Sequence, residues 1–317
     1  MDNRTIAVSD CDHLNMNEEE KVCQNNGLNL KLFQCRTEDD LIRELNGYTA
    51  VINQYAPFTE RVFAALPDLK FLVRYGVGMN NVDIGAATRH GVAVSNVPDY
   101  GVQEVASHAF AMMMALTRRI TQMDASVKSG RWDYSEGIPI FRFREQTVGI
   151  VGLGRIGHCF AQLVQPLGCR ILAYDLRPER VNLDFVQKAD FDTLISESDV
   201  ISIHSNLETS SNLFNRDVLG RMKKTAYLIN VSRGGIIDED ALADALNAGN
   251  LAGAGIDVVQ TEPLPAESPL RNALNIILSP HIAWYSEQSS LDLKTKAAEE
   301  AARFLLGKPL HYQLNQL

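Results

Sequence analysis

The sequence predicts an α/β protein built from two doubly wound parallel sheets, with the second domain inserted in the first. Three observations predict this. Short β-rich runs alternate with stretches of helical spacing from Thr5 to about Val97. A second alternating series begins near Asp99. The chain then ends on a helix, about Ser286 to Leu306, with no strand after it. The expected domains are residues 1–98 plus 286–317 and residues 99–285, with crossings near Val97–Tyr100 and Ala283–Ser286.

In the first series TIAVSD, LKLFQC, AVINQ, FLVRYG and VAVSNV read as strands of four to six residues. Between them Glu18–Asn26, Glu38–Asn46, Thr59–Leu66 and Asp83–His90 have helical spacing and end near Gly, Asn or Pro. Alternation of this kind requires crossover helices over a parallel sheet.

The second series opens with GVQEVASHAFAMMMALTRRI, read as one long helix. It is apolar on more than one face, which points to burial on both sides or at a subunit interface. Its methionines read as packed core. Gly130 to Gln146 lacks periodicity and reads as an arm or loop. The strands TVGIVG, RILAYD, VISIH, AYLINV, GAGIDV and NIILSP follow, separated by helical stretches.

Composition bounds the function. The 317 residues are 45% hydrophobic and 22% charged, with a formal net charge of −9. That acidity gives no electrostatic reason to seek nucleic acid or an anionic membrane. The longest apolar run, Ala109 to Leu116, falls short of the roughly 18 residues that suggest a membrane span. MDNRTIAVSD does not read as a signal peptide. Cys11, Cys23, Cys35, Cys159 and Cys169 are odd in number and form no CxxC pair, as free thiols in a reducing compartment would. A cytoplasmic location is expected. Cys11, Asp12 and His13 lack a second ligand cluster, so no metal is expected.

TVGIVGLGRIGHCF carries the first chemical signal. Gly152, Gly154 and Gly157 form GxGxxG after an apolar strand and at the start of a helix. Gly152 makes the tight turn, Gly154 admits a pyrophosphate to the backbone, and Gly157 allows close helix–strand packing. Arg155 and Ile156 lie between them, where helix-start amides bind an anion. Asp175 ends the next strand, at the spacing of the acid that accepts the adenosine ribose hydroxyls. NAD is therefore the expected cofactor in a Rossmann domain. Asp175 favours it over NADP, and Arg177 weakens that preference.

A nicotinamide enzyme acting on an alcohol or ketone also needs a proton donor, a substrate anchor and a partner for the donor. Arg233 follows AYLINVS and precedes two glycines, and its planar fork suits a carboxylate. His281, beyond the last strand, is a candidate proton donor, although spacing alone does not select it among seven histidines. Glu262 in DVVQTEPLP could hold that imidazole or be an exposed turn acid.

GLGRIG, INVSRGG, GAGIDV with TEP, and SPHIAW, in this order, resemble the D-isomer-specific 2-hydroxyacid dehydrogenases over essentially the whole chain. VRYGVG and HIAWYSEQ are most similar to the branch holding the C-terminal-binding protein corepressors and their bacterial relatives. The resemblance implies a flavodoxin-like substrate domain carrying the inserted NAD domain, and interconversion of a 2-oxo acid with its D-2-hydroxy acid. It implies that Arg233 binds the substrate carboxylate, His281 is the acid/base and Glu262 its partner. Asp257 would lie near the nicotinamide carboxamide. Val77, Val105, Ser205, Asn206, Thr209, Val231 and Ser232 match cofactor-lining positions. Arg74, Tyr75 and Gly76 match the substrate-domain loop, and Trp284 matches a pocket tryptophan. With Tyr55 and Tyr100, Tyr75 and Trp284 suggest aromatic pocket walls. Asn80 and Ser107 depart from the acids usual at their positions. A homodimer formed through the Gly101–Ile120 helix and the following arm is also implied. Two other activities fit the same motifs: NAD(H) sensing like that of the corepressors, and D-3-phosphoglycerate oxidation.

Overall fold

The computed structural model describes residues 4–317 and separates into two compact units, Met1–Gly101 with Ser286–Leu317, and Val102–Tyr285. In the first unit β1 (Thr5–Val8), β2 (Asn29–Leu32), β3 (Ala50–Asn53), β4 (Phe71–Arg74) and β5 (Ala93–Ser95) alternate with α1 (Asn17–Asn25), α2 (Glu38–Glu44), α3 (Glu60–Ala65) and α4 (Ile84–Arg89). The sheet order is β2-β1-β3-β4-β5 and every pairing is parallel. All four residues of β3 are buried, as in a strand covered on both faces. Thr37 and Asp40 form a capping box at α2, and Asp83 caps α4 through the Ala86 amide. These caps set where the helices begin.

The second unit opens with α5 (Val102–Thr117) and α6 (Ile120–Lys128). Its strands are β6 (Thr147–Val151), β7 (Arg170–Tyr174), β8 (Gln187–Lys188), β9 (Val200–Ile203), β10 (Tyr227–Asn230), β11 (Gly253–Ile256) and β12 (Ile276–Leu278). They are crossed by α7 (Arg155–Val164), α8 (Phe191–Glu197), α9 (Leu207–Ser210), α10 (Arg216–Arg221) and α11 (Glu239–Asn247). The order β12-β11-β10-β9-β6-β7-β8 reverses direction between β6 and β9, the switch point where ligands gather in open parallel sheets.

Each face of this sheet has its own core. Ala106, Ala109, Met113 and Phe160 from α5 and α7 pack with Val148, Ile150 and Ile229. Leu194, Phe214, Leu219 and Leu242 pack on the other face with Ile201 and Leu228. Each fully buried Val, Leu, Ile, Phe or Met among them contributes about 1.5–3 kcal/mol.

The chain then returns to the first unit as α12 (Glu287–Leu305), opened by a Ser286–Ser289 capping box. Phe304 stacks on Phe71 of β4 with ring centroids 4.9 Å apart. The carboxy-terminal segment pairs Gln313 with Ser95, and Asn315 accepts the Val94 amide at 2.8 Å. This covers the β5 edge, which would otherwise expose unpaired backbone.

Two sequence expectations need correction. The single helix expected over Gly101–Ile120 ends at Thr117, and a second starts at Ile120, because Arg119 adopts a left-handed backbone (φ 52°). Within this chain α5 is fully buried along one face only, through Ala106, Ala109, Met113 and Leu116, while Ser107 and Ala111 are exposed. In addition, the two-residue edge strand β8 has no counterpart in the expected list; QK carries no apolar alternation to mark it.

Candidate active site

All seven strands of the second unit are parallel, so their carboxyl ends share one edge. Gly152 follows β6 with φ 91°, and a Cβ there would lie 2.8 Å from the His204 carbonyl and the Ser205 amide. A Cβ on Gly157 would fall 2.2 Å from the Gly152 carbonyl oxygen. Gly154 differs: a Cβ there would meet only the Arg180 guanidinium, at 4.0 Å. Two glycines are therefore required by packing, while the third leaves its face open beside a cation. Open backbone at a helix start suits a pyrophosphate.

Asp175 follows β7. Its Oδ2 accepts the Leu153 amide and its Oδ1 the Arg177 amide, both at 2.8 Å, so it fixes the glycine turn. Each oxygen keeps acceptor capacity for a ribose hydroxyl. Arg155 is exposed and Ile156 half-buried at the start of α7. Ser205, Asn206 and Thr209 follow β9, and the Thr209 hydroxyl bonds to Asn206. Val231 is buried, Val105 on α5 is half-buried, and the Ser232 hydroxyl donates to the Ile203 carbonyl at 2.7 Å.

The three catalytic candidates occupy the loops after β10, β11 and β12. Arg233 follows β10 in extended backbone, and its guanidinium donates to the Ser232 carbonyl at 2.7 Å. Asn230, which the sequence reading did not single out, shapes this turn. Its amide donates to the Arg233 carbonyl at 2.8 Å, and its side-chain oxygen accepts the Ser232 amide. Gly234 presses the turn against the next loop, since a Cβ there would overlap the Val259 carbonyl at about 2 Å.

In that next loop Glu262 accepts the Val259 amide through Oε1 and meets His281 Nδ1 through Oε2 at 2.7 Å. Burial alone would raise its carboxyl. The His281 hydrogen bond and charge, the Val259 amide and the Arg233 cation outweigh this and hold it below the ordinary carboxylate range. His281 and Glu262 are partly exposed, at 43% and 38% of their side chains, so reactants can reach them. Trp284 is half-buried, edge-on to Tyr285.

Asp257, expected beside a carboxamide, is held by neighbouring loop groups. Its carboxylate is fully buried and accepts from Ser279 Oγ and from the Ile282 and Ala283 amides, the last two at 3.0 Å.

In the first unit Arg74 ends β4, and its Nε donates to the Gln54 carbonyl at 3.2 Å. Gly76 has φ 119°, and a Cβ on it would come within 2.5 Å of Arg74 Nη1. The glycine thus makes room for the guanidinium. Val77 is exposed. Tyr75 corrects an expectation: its ring is 2% exposed and its hydroxyl donates to buried Glu19 at 2.8 Å. The Tyr75 side chain therefore serves the core of the first unit and forms no pocket wall. Tyr55 is exposed, with its hydroxyl on Asp12 at 2.9 Å.

Residues 110–283 match the family model described as D-isomer specific 2-hydroxyacid dehydrogenase, NAD binding domain. The chain belongs to this family. Its second unit is the family's NAD-binding domain, and the glycine loop and Asp175 fit that cofactor. The chain is 38% identical over 283 residues to the D-3-phosphoglycerate dehydrogenase of a Synechocystis strain, covering 88% of this chain and 51% of that protein. It is 36% identical over 261 residues to the glyoxylate reductase of Korarchaeum cryptofilum, covering 80% of this chain and 78% of that protein. Among solved structures it resembles the NAD-complexed D-isomer specific 2-hydroxyacid dehydrogenase of Lactobacillus delbrueckii, with a TM-score of 0.80 and 25% identity, over 98% of this chain and 100% of that one. The chain spans about half the length of the phosphoglycerate dehydrogenases it matches. These relatives are named as enzymes; the corepressor branch suggested by VRYGVG and HIAWYSEQ is not among them.

Proposed function

We propose that the protein is an NAD-dependent oxidoreductase that interconverts a 2-oxo acid and its D-2-hydroxy acid. The observation that carries this reading is the 2.7 Å contact of His281 Nδ1 with Glu262, beside Arg233, on the carboxyl edge of an NAD-binding sheet. The bound nicotinamide supplies or accepts the hydride at the substrate's C2.

Everything else falls to side chains. With Nδ1 directed at the carboxylate, His281 has Nε2 left to protonate the substrate oxygen during reduction and to take the proton back during oxidation. Glu262 remains ionised, fixes the ring's orientation and stabilises the imidazolium. Arg233 holds the substrate carboxylate in a two-pronged contact and so orients the adjacent carbonyl. Arg74 and Gly76 are the substrate-domain loop residues of this reading, and Trp284 is its pocket tryptophan. Val77, Val105, Gly152, Gly154, Arg155, Ile156, Gly157, Asp175, Ser205, Asn206, Thr209, Val231, Ser232 and Asp257 form the cofactor set. Asp257 acts there through the loop it holds. The reading includes a homodimer and a cytoplasmic location. Two observations support it: exposed Trp132, Tyr134, Ile138 and Phe141 beyond α6, and no helix among the described residues able to cross a membrane.

The test is NADH oxidation, followed by absorbance, against glyoxylate, hydroxypyruvate, other 2-oxo acids and the phosphorylated substrate of the phosphoglycerate dehydrogenases. His281→Ala should lower turnover by about 10²–10⁴-fold and leave the NADH Kd nearly unchanged. Absence of turnover by the unaltered protein on every acid would reject the reading in favour of dinucleotide sensing.

A further inference from the structure

His281 is held in an unusual backbone. Its φ of 54° lies in the left-handed region, which a histidine keeps only where its surroundings impose it. The means are visible. The His281 amide donates to the Asp257 carbonyl at 2.8 Å, and the next two amides, of Ile282 and Ala283, donate one to each Asp257 carboxylate oxygen at 3.0 Å. One aspartate therefore holds three consecutive peptide groups, and the orientation of its carboxylate sets the orientation of the loop.

That carboxylate is itself tied to another element. Ser279 Oγ donates to Asp257 Oδ1, and His108 Nε2 lies 3.0 Å from the same hydroxyl. A hydroxyl whose hydrogen is committed to a carboxylate can only accept from its other neighbour. His108 Nε2 must therefore carry a hydrogen and donate it. His108 stands on α5, far from this loop in the chain, and its Nε2 is also 3.7 Å from Asp257 Oδ1.

We propose that His108 is a positioning residue for His281, acting through Ser279 and Asp257 to fix the left-handed turn that presents the imidazole. The inference rests on the proposed role of His281. It goes beyond that role by making the proton donor's geometry depend on a hydrogen bond from α5. Loss of the donor frees the Ser279 hydroxyl to rotate, loosens the Asp257 carboxylate and lets the turn relax toward ordinary backbone. The imidazole then spends less time in its productive position, while the glycine turn after β6 and its tie to Asp175 are untouched.

The experiment compares His108→Ala, His108→Gln, Ser279→Ala and the double alanine variant in the full chain. His108→Ala should lower kcat about 5- to 20-fold, because small misplacements of a reacting group are costly. The NADH Kd should stay within about twofold of the unaltered protein's, and His108→Gln, whose amide can donate at similar reach, should recover most of the loss. The double variant should be no slower than Ser279→Ala alone, since both changes break one chain of contacts. Independently of turnover, hydrogen exchange at the Ile282 and Ala283 amides should quicken at least about fivefold in His108→Ala. If the unaltered protein reduces no 2-oxo acid, the proposed function falls, and the exchange measurement still tests the tie. Unchanged exchange at Ile282 and Ala283, or losses that multiply in the double variant, would overturn the inference. If His108→Ala does not fold, His108→Gln against Ser279→Ala carries the same exchange comparison.

Discussion

Replacing Gly157 by alanine sets two effects of known sign against each other. Gly157 lies in the first turn of α7, where alanine alone would favour the helix by about 1 kcal/mol. The added Cβ would, however, stand 2.2 Å from the Gly152 carbonyl oxygen and 3.2 Å from its carbon. Relief requires α7 to move from β6 by about 1 Å, since non-bonded carbon and oxygen rest a little beyond 3 Å. Neither partner is a flexible side-chain end, so the strain falls on backbone; overpacking of this kind costs about 1–3 kcal/mol or more. The net expectation is a loss of up to about 2 kcal/mol, which lowers the second unit's melting temperature by up to roughly 8 °C. The same shift moves the amides that would hold the pyrophosphate, so NADH binding should weaken about tenfold or more. Gly220→Ala is the control. It lies in α10, its Cβ would meet nothing within 4 Å, and it should raise the melting temperature slightly. Calorimetry and NADH fluorescence titration read both effects. A Gly157→Ala protein that melts at or above the parent and binds NADH equally well would refute the packing argument.

Other perturbations probe other groups. Asp175→Ala removes the acceptor for two backbone amides and the charge facing a 2′-phosphate, so the NADH-over-NADPH affinity ratio should fall at least about tenfold; an unchanged ratio would count against its ribose role. Gly76→Ala should displace Arg74 and raise KM for the 2-oxo acid several-fold without changing NADH binding, as kinetics and titration together would reveal. Glu262→Gln removes the charged partner of His281 Nδ1, and kcat for 2-oxo acid reduction should fall about tenfold or more with the NADH Kd unchanged; an unmoved kcat would separate the two residues. Burial holds the His204 ring down to about 3, so the unfolded chain takes up a proton below about pH 6.5 that the folded chain refuses. Stability should therefore decline as pH falls from about 6.5 toward 3, by on the order of 3 kcal/mol at pH 4, and His204→Gln should flatten that decline in urea titrations.

Much of this molecule was legible because its signals are local. The strand run AVIN is buried along its whole length and FLVR through its first three residues, and the three glycines stand in a fixed order relative to β6 and α7. The proposed acid/base pair was legible only through the order of motifs. Glu262 and His281 are 19 residues apart and meet because β11 and β12 lie in parallel register. Other features depend on tertiary contact alone. Nothing in LTRRI marks the left-handed Arg119, where neither glycine nor proline signals a break. The orientation of Tyr75 depends on Glu19, and the tie from His108 to Ser279 spans 171 positions. Asn230 reads as the polar end of a strand until its side chain is found bridging Ser232 and Arg233.

The return of α12 to the first unit has a consequence for how the protein is made. During synthesis β1 to β5 leave the ribosome well before the helix whose Phe304 covers Phe71, because the whole of Val102–Tyr285 intervenes. At about 5–20 residues per second that wait is on the order of 10–40 s, long enough for the inserted unit to fold first. The nascent first sheet carries an uncovered apolar face throughout that interval. A chain stopped at Tyr285 would retain the nucleotide edge but leave that face bare, and should be recovered as a soluble second unit trailing an unfinished first one.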